Sequence, residues 1–435
     1  MATTPGDTPS EWSIDELLAS PSGEAFHEYL VLMEDTEPPR NYLIWSLISA
    51  AATLLGKNSK FRSGPLHSVA PNLFIVLLGP AGVRKSSAIR LVQHLMEHTT
   101  VNFGPTDSGG QRQGLMSALT GLHRQHAHAR WLPDRVVDSG PMTFMMSQPR
   151  RASDMALYVA ELGTLFGSGV RDLADFMVNL YDGTKIDYET KAGATEIHSP
   201  LVNLLGATVP SSLAAMIPDN AGTHGILSRM LFIYEDKPHK AVPLPKEPTE
   251  LWWDQRKQII DRFHWIDNNR LDFMLEPRAA QFYEAIYGYV PLIQDARLEH
   301  YRERRANILL RVSMAVCALR LDTCIIESDL RLAHEFMKLA EPRMHKALEY
   351  FGRNKIFAGR MLMIQFLRAN GGQSTHEALV AAAASELKHS EADEAINNML
   401  ASGELVKFGS GYVLGEIKNE ITERKAGIKR GPRAV

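Results

Sequence analysis

The chain has 435 residues, two cysteines and a formal net charge of −3. Its length allows roughly two to three domains, and its hydrophobic content of 45% is enough to build buried cores. The charge excludes a uniformly basic nucleic-acid-binding protein, so any such surface has to be local. The start MATTPGDTPSEWS lacks the basic and apolar parts of a signal peptide, and the apolar run Leu43–Leu55 is too short to span a bilayer. We therefore expect a cytoplasmic protein without a membrane partner, with Cys317 and Cys324 as buried free thiols.

Two helices are predicted near the N-terminus. Apolar residues recur at helical spacing over Glu24–Glu34 and Tyr42–Leu55, and the breaker Pro38-Pro39 separates the two segments. This pattern predicts an N-terminal helical region, residues 1–60, that forms a collar beside the next domain.

The stretch from Leu73 to Ser87 carries the strongest functional signal. An unbroken apolar run ending at Leu78 predicts a strand buried on both faces, and an amphipathic helix starts at about Ser86. The loop between them follows the pattern G-x-x-x-x-G-K-[ST], except that Arg84 occupies the place of the last glycine and must adopt a backbone shape that glycine finds easier. The predicted nucleotide-binding residues are Gly79, Pro80, Ala81, Gly82, Val83, Arg84, Lys85, Ser86 and Ser87.

Each residue type in this loop has a chemical reason. Gly79 and Gly82 let backbone N–H groups turn toward phosphate oxygens, while Lys85 reaches the β- and γ-phosphates and Ser86 ligates Mg²⁺. The sequence therefore predicts ATP and Mg²⁺ as ligands; the alternative is an ordinary turn between a core strand and a helix.

Two later strands end in residues suited to the same site. The strand that starts at Asp154 ends at Glu161, which can polarise a water molecule or support Mg²⁺; Ala160 stands where such strands usually carry a second acid. The strand Leu201–Thr208 ends in a hydroxyl that can sense the γ-phosphate or position the water. The alternative for Glu161 is an ordinary acid at the end of a strand, and the alternative for Thr208 is a simple cap of its strand.

An arginine precedes the fourth strand, Met230–Tyr234. From there Arg229 could reach the nucleotide of a neighbouring subunit and stabilise transition-state charge. The alternative is that Arg229 caps its own strand or pairs with a local acid such as Glu235 or Asp236.

These motifs carry a family resemblance that covers Tyr29 to about Leu348. The segments PPRNYLIWSLISAAATLLG, GPAGVRKSS, ELGTLFG and NLLGATVP resemble a family of P-loop ATPases, known mainly from phages and mobile elements, that occurs as an uncharacterised domain in primase–helicase-like proteins. The later order, Ser228-Arg229-Met230 followed by Arg311 within ILLRVSMA, is similar to the minichromosome-maintenance branch of AAA+ helicases.

The resemblance implies a fold and an activity. The fold is α/β, with a P-loop NTPase (AAA+-like) core, a helical N-terminal collar, a helical lid and a C-terminal winged helix. The implied activity is that of an ATP-dependent DNA helicase or DNA-remodelling motor of phage or mobile-element replication, in the bacterial host cytoplasm if phage-encoded. Thr208 would be the sensor, Arg229 the arginine finger in trans and Arg311 the second sensor of a homo-oligomer, a hexameric ring. The implied partners are single-stranded or forked DNA and replication proteins.

The remaining segments complete the predicted organisation. The ATPase core covers 61–240. A helical lid covers 251–350, in which Leu251–Leu348 is predicted to be almost entirely helical. Four arginines in the lid form a basic face that is either solvated or salt-bridged, or else in contact with a nucleotide or DNA: Arg297, Arg302, Arg304 and Arg305. Residues 355–415 contain three helices and a hairpin, which predicts a winged-helix domain, and 416–435 form a basic flexible tail. The third helix carries Glu391, Asp393 and Glu394 and no Lys or Arg, which favours contact with protein over DNA. The polar run His123–Arg130 is either a solvated insertion or a DNA-facing loop.

Two other functions stay open. A slow ATPase that acts as a nucleotide-dependent switch or assembly scaffold is favoured by Ala160 and by the acidic third helix. A DNA-packaging motor is disfavoured, since no nuclease-like carboxylate cluster follows the ATPase segment.

Overall fold

The computed structural model describes residues 13–56, 59–64, 67–106, 114–119, 154–166, 170–190, 193–197, 200–216, 224–269, 271–291, 293, 295–349, 355–384, 387–401, 403–409 and 411–414. The predictions for the polar run 123–130 and for the tail 416–435 lie outside these residues. The chain divides into two compact units, one up to Glu349 and one from Tyr350.

The first unit alternates helices and strands. It begins with α1 (Ile14–Leu18), α2 (Glu24–Leu32), α3 (Arg40–Leu55), β1 (Lys60–Ser63) and β2 (His67–Val69). It continues with β3 (Phe74–Leu78), α4 (Lys85–Leu95), β4 (Asp154–Val159), α5 (Leu162–Phe166), α6 (Val170–Asp182), β5 (Ile186–Thr190) and β6 (Gly193–Ile197). Next come β7 (Leu201–Thr208), α7 (Pro210–Met216), α8 (His224–Leu227) and β8 (Met230–Tyr234). The unit ends with α9 (Glu250–Asn268), β9 (Asp272–Leu275), α10 (Pro277–Ile286), α11 (Glu299–Leu319), β10 (Cys324–Ile325), α12 (Glu327–Ala340) and a 3-10 helix, Glu341–Leu348.

A parallel sheet forms the centre of this unit. Its order is β4-β7-β3-β8, and Leu78 at the end of β3 is level with Thr208 and Tyr234 on the neighbouring strands. Every residue of the four strands is buried, so both faces of the sheet are covered. Continuous apolar runs have this outcome in parallel sheets. The α/β class that the sequence predicts is confirmed.

The strand order places the loop after β3 at a particular point. From β3 the chain moves to one side, through β4 and then β7, and it later returns to the other side of β3 as β8. The winding direction therefore reverses at β3. In open α/β sheets, the crevice outside the carboxyl ends of the strands at such a reversal is where ligands bind.

Helix α3 lies in the interior of the unit. All of its residues from Tyr42 to Leu55 are buried, and it packs against α2, α4, α9 and α11. A helix that is apolar all round has to be enclosed by other elements. The sequence predicts this helix to within two residues.

A second sheet corrects the prediction that Leu251–Leu348 is almost entirely helical. Strands β9 and β10 interrupt that segment, and they join β1 and β2 in the order β10-β9-β1-β2. Both strands are too short to show an alternating pattern, and their partners are distant in sequence. Long-range backbone pairing therefore decides their conformation.

Within the predicted basic face, Arg305 forms a buried ion pair. The Nε atom of Arg305 lies 2.5 Å from Oε1 of Glu341, and the two side chains are 3% and 2% exposed. The hydroxyl of Tyr301 donates to the same carboxylate oxygen at 3.0 Å. Burial, and then the positive charge of Arg305, lower the pKa of His334 to about 3. Arg297 also pairs locally, with Asp295 at 2.6 Å, so the salt-bridged interpretation is confirmed for these two arginines.

The second unit combines three helices with a small antiparallel sheet. Its elements are α13 (Lys355–Ala369), β11 (Gln373–Ser374), α14 (His376–Ala382), α15 (His389–Ala401), β12 (Leu405–Phe408) and β13 (Gly411–Leu414). The sheet order is β11-β13-β12, so the predicted hairpin is confirmed and gains a short third strand. Apolar residues of all three helices and both hairpin strands form its core, including Leu367, Leu379, Ile396, Leu405 and Leu414.

None of the helices in the described ranges is long and apolar enough to cross a membrane.

The buried pair gives a first prediction. Glu341→Gln should lower the free energy of unfolding by about 3–5 kcal/mol, because it leaves the Arg305 charge buried without its counter-ion. All six tryptophans precede Glu349, so urea unfolding followed by tryptophan fluorescence reports on the first unit. Glu335→Gln is the matched control. Its partner Lys338 lies 3.0 Å away in a partly exposed pair, and the expected loss is below about 1 kcal/mol. Equal losses in the two variants would contradict the prediction.

Candidate functional site

The loop between β3 and α4 has two residues in left-handed backbone conformations. Gly82 has φ 87°, and Arg84 has φ 63° and ψ 28°. Arg84 is the N-cap of α4, and Lys85 is the first helical residue. A left-handed conformation costs a residue with a Cβ about 1 kcal/mol. The prediction that Arg84 adopts a backbone shape suited to glycine is therefore confirmed.

The start of the loop is fixed by close packing. The Leu78 carbonyl accepts hydrogen bonds from the Tyr42 hydroxyl at 2.5 Å and from the Glu235 amide at 3.0 Å. A Cβ added at Gly79 would lie 2.1 Å from the Glu235 carbonyl oxygen and 2.9 Å from the Tyr42 hydroxyl. Only glycine fits there. Burial raises the pKa of Tyr42 well above its ordinary value, so the hydroxyl stays a donor.

The ammonium of Lys85 reaches back over the loop. Its Nζ atom donates to the carbonyl oxygens of Gly79 at 2.7 Å and Pro80 at 2.8 Å. Burial lowers the pKa of Lys85, while the negative charge of Glu161 acts in the opposite direction. The Lys85 side chain therefore lies at the mouth of the loop, within the electrostatic reach of the Glu161 carboxylate.

Glu161 and Thr208 form a hydrogen-bonded pair beside this lysine. The Thr208 hydroxyl donates to Oε1 of Glu161 at 2.9 Å; Thr208 is buried and Glu161 is exposed. Strand β4 ends at Val159, which is level with Gly206, and both side chains follow two residues later along parallel strands. Because β7 lies between β3 and β4, the hydroxyl lies between the loop and the carboxylate. The structure thus brings together Lys85, Glu161 and Thr208.

The residues predicted to hold Mg²⁺ lie at the same edge. Ser86 is half-buried in the first turn of α4, and Glu161 lies beyond the end of β4. Within the described ranges, no group of three or more His, Cys, Asp or Glu side chains could hold a metal ion. Mg²⁺ at nucleotide sites is commonly bound through one or two protein ligands, phosphate oxygens and water. A serine and a carboxylate fit that donor set.

Arg229 lies at the opposite edge of the sheet. It precedes β8, and its guanidinium binds Asp182 through Nε at 3.0 Å and Nη2 at 2.5 Å, with Nη1 donating to the Gly225 carbonyl at 2.6 Å. Its side chain is only 6% exposed. This is the local-pair alternative, but with a partner that the sequence did not indicate. Glu235 and Asp236 pair elsewhere.

Arg311 joins the same end of the sheet. Its Nη1 atom donates to the Asn72 carbonyl at 2.8 Å and also contacts the Asn72 side-chain oxygen. Its guanidinium lies 4.5 Å from the centre of the Tyr181 ring, which Arg229 also faces at 5.8 Å. Asn72 precedes β3, whose five residues span roughly 15 Å. The two predicted arginines therefore lie together, about one strand length from the loop of their own subunit.

Two other cations lie at the loop edge. Arg343 pairs with Glu235 at 2.8 Å, and Lys346 pairs with Asp236 at 3.1 Å. Both belong to the 3-10 helix Glu341–Leu348. Neither contact was predicted from the sequence, since nothing in the local pattern links this helix to β8.

Two further residues that fix the loop, Tyr42 and Glu37, were not predicted from the sequence. Tyr42 fixes the loop through Leu78, and Glu37 contacts Arg84 through an ion pair of 2.5 Å between Oε2 and Nε. A tyrosine within an apolar helix carries no signal of such a contact. Glu37 could have been noticed only as an acid next to the Pro38-Pro39 breaker.

No protein-family model matches the chain, and a search of curated proteins finds no match. The family resemblance therefore stays a prediction that depends on the motif residues.

The position of Arg229 gives a second prediction. Arg229→Ala should lower the free energy of unfolding by about 2–3 kcal/mol, because it removes a buried guanidinium from a two-bond pair and leaves Asp182 without its partner. Arg278→Ala, an exposed arginine on α10, is the control and should change stability by less than about 0.5 kcal/mol. Tryptophan fluorescence during urea unfolding measures both.

A different result would restore the role in trans. In that case Arg229→Ala would keep wild-type stability and ATP affinity but turn over slowly. Its activity would partly return on mixing with Lys85→Ala protein, because mixed interfaces would pair an intact loop with an intact arginine.

Proposed function

We propose that this chain is an Mg²⁺-dependent ATPase whose nucleotide binds at the loop Gly79–Ser86. One observation carries the proposal. The loop lysine Lys85 and the hydrogen-bonded pair Thr208–Glu161 meet at the carboxyl edge of a parallel sheet, where the winding direction reverses. A chance turn between a strand and a helix would not bring a cation, a hydroxyl and an acid from three strands together.

The proposed chemistry follows from the donors and acceptors at this edge. The amides of the loop and the positive end of α4 bind the phosphates. The Lys85 ammonium moves from carbonyl acceptors to the β- and γ-phosphate oxygens, which carry more charge. Bound Mg²⁺ would neutralise phosphate charge, with Ser86 and Glu161 as the residues that hold it.

Glu161 is the proposed general base for hydrolysis. Its exposed carboxylate can orient a water molecule and accept its proton, and the Thr208 hydroxyl fixes one of its oxygens in place. A positioned carboxylate of this kind is what hydrolysis of the γ-phosphate requires.

We propose that the ATPase works as an oligomeric motor on DNA in phage or mobile-element replication. The sequence resemblance supports this, and with it the assignment of the first unit as a P-loop core with collar and lid and of the second as a winged helix. On α15, Asp393 lies 2.8 Å from the His376 ring and 3.2 Å from the His389 ring. The same helix carries Glu391 and Glu394 and no Lys or Arg, and this negative charge favours contact with protein over DNA for the second unit.

A slow, nucleotide-dependent switch is the second candidate, and a specific observation favours it. Arg229 and Arg311 are both engaged inside their own subunit, and an alanine, Ala160, precedes the catalytic carboxylate. The ATPase rate with and without single-stranded DNA, measured together with particle mass, separates the candidates. For a motor, single-stranded DNA should raise the ATPase rate and the particle mass should be that of an oligomer. For a switch, the ATPase rate should be slow with and without DNA.

The third prediction tests the binding site. Lys85→Ala should abolish ATP binding with the fold intact, because the phosphates lose their main side-chain cation. Binding of a fluorescent ATP analogue measures the loss, with circular dichroism as the check on folding. Lys338→Ala removes a lysine that pairs with Glu335 on α12, and its affinity should be that of the wild type. Unchanged affinity in folded Lys85→Ala protein would refute the site.

The fourth prediction tests the catalytic carboxylate. Glu161→Gln keeps the acceptor for the Thr208 hydroxyl but cannot take a proton, so turnover should fall by about 10²-fold or more with nucleotide affinity retained. Steady-state phosphate release measures turnover. Thr208→Val should also slow turnover, because the carboxylate loses its fixed orientation. Wild-type rates in Glu161→Gln would assign the base elsewhere.

A further inference from the structure

An acidic segment before α3 reaches the proposed phosphate loop. Glu34 pairs with Lys240 at 2.9 Å and with Arg40 at 3.7 Å, which are contacts away from the loop. Glu37 differs from Glu34, since its Oε2 atom lies 2.5 Å from Nε of Arg84. The acid that ends this segment is therefore the one that contacts the loop.

Glu37 also holds the segment that follows β8. Its Oε1 atom accepts a hydrogen bond from the Val242 amide at 3.2 Å, and its carbonyl accepts one from the His239 amide at 2.9 Å. One carboxylate thus bridges two parts of the chain, with one oxygen on Arg84 of the loop and the other on the connection to α9.

Arg84 is placed where its side chain can serve a phosphate. It immediately precedes Lys85 and caps the helix whose amino end faces the loop. Its left-handed backbone is strained for any residue with a side chain, and glycine would avoid that strain. An arginine also offers a planar set of donors that matches phosphate oxygens. The residue type at this position therefore has a use that glycine lacks.

We propose that Arg84 is a phosphate-binding residue whose availability is set by Glu37. The carboxylate of Glu37 and the terminal phosphate of the nucleotide compete for one guanidinium. This inference rests on the proposed nucleotide site.

The exchange is energetically accessible. The side chains of Arg84 and Glu37 are 48% and 25% exposed, and ion pairs this open to solvent are weak. A phosphate group carries more charge than a carboxylate and can accept two parallel hydrogen bonds from a guanidinium. Arg84 should therefore prefer the phosphate when a nucleotide is bound.

The exchange also links the nucleotide to the connection between β8 and α9. When Arg84 turns to the phosphate, Glu37 loses its cation but keeps its contacts with His239 and Val242. Because Glu37 and the phosphate compete for one guanidinium, a change that strengthens the hold of Glu37 on Arg84 must weaken nucleotide binding, by at most the same factor. The acidic segment thereby sets the affinity of the loop.

The test measures affinity for a fluorescent, non-hydrolysable ATP analogue in the full-length chain. Glu37→Gln should tighten binding about two- to five-fold, because it removes a weak competitor for Arg84. Arg84→Ala keeps the strain of a Cβ at the left-handed position and should weaken binding about ten-fold. In the Arg84→Ala background, Glu37→Gln should have no further effect on affinity.

Glu34→Gln is the matched control for charge. It removes the same charge from the same segment without touching Arg84, so its affinity should be that of the wild type. The inference is overturned if Glu37→Gln leaves affinity unchanged or weakens it. Equal tightening by Glu34→Gln and Glu37→Gln would also overturn it, since the effect would then be one of net charge.

Lys85→Ala distinguishes this inference from the proposed function. If the wild type binds the analogue and Lys85→Ala does not, the nucleotide site stands, whatever Glu37→Gln shows in the wild-type and Arg84→Ala backgrounds. If Lys85→Ala binds as tightly as the wild type, the nucleotide site itself fails, and the inference fails with it.

Discussion

The end of β3 is the point on which the rest of the first unit depends. One carbonyl, that of Leu78, accepts hydrogen bonds from the Tyr42 hydroxyl on α3 and from the amide that follows β8. The next residue, Gly79, has no room for a Cβ because the same two groups lie against it. The interior helix, the central strand and its neighbour are thereby fixed to one another where the loop begins. A loop that binds phosphate through its backbone needs such a rigid origin, since its amides are useful only if they hold one orientation.

The two edges of the parallel sheet carry different kinds of charge. At the carboxyl edge the charged groups are exposed or half-buried and can exchange partners. Lys85 donates to two carbonyl oxygens, Glu161 accepts from a hydroxyl, and Arg84 pairs with a carboxylate. At the amino edge Arg229 and Arg311 are buried and bound by several hydrogen bonds each. The first arrangement can rearrange around a ligand at little cost, whereas the second can do so only by exposing its buried contacts. The carboxyl edge therefore suits the proposed chemistry, whereas the arginines of the amino edge hold neighbouring parts of the first unit together.

The sequence predicts the parts of the fold in which local pattern and tertiary environment agree. The four central strands and α3 are predominantly apolar and buried, and the loop motif fixes the turn between β3 and α4. Prediction fails where a distant partner decides, as in β9, whose residue Asp272 pairs with Lys60 of β1, and in β10, whose residue Cys324 pairs with Met274 of β9. The candidate site divides in the same way: strand ends locate Lys85, Glu161 and Thr208, but the partner of Arg229 is an acid 47 residues earlier in the chain. Side-chain pairs of this kind leave no periodic trace in a single sequence.

The Arg229 pair also bears on how the proposed ATPase would communicate between subunits. To act on a neighbour's nucleotide, Arg229 would have to leave Asp182 and the Gly225 carbonyl and become exposed, which separates the end of α6 from α8. Such a motion is a two-state change in packing, and ligands drive a change of that kind only through different affinities for the two states. Arg343 and Lys346 face no such barrier, because they are partly exposed and already lie at the loop edge. In the proposed oligomer, communication through the 3-10 helix that carries them would require only the exchange of surface ion pairs, and it would cost less than moving Arg229.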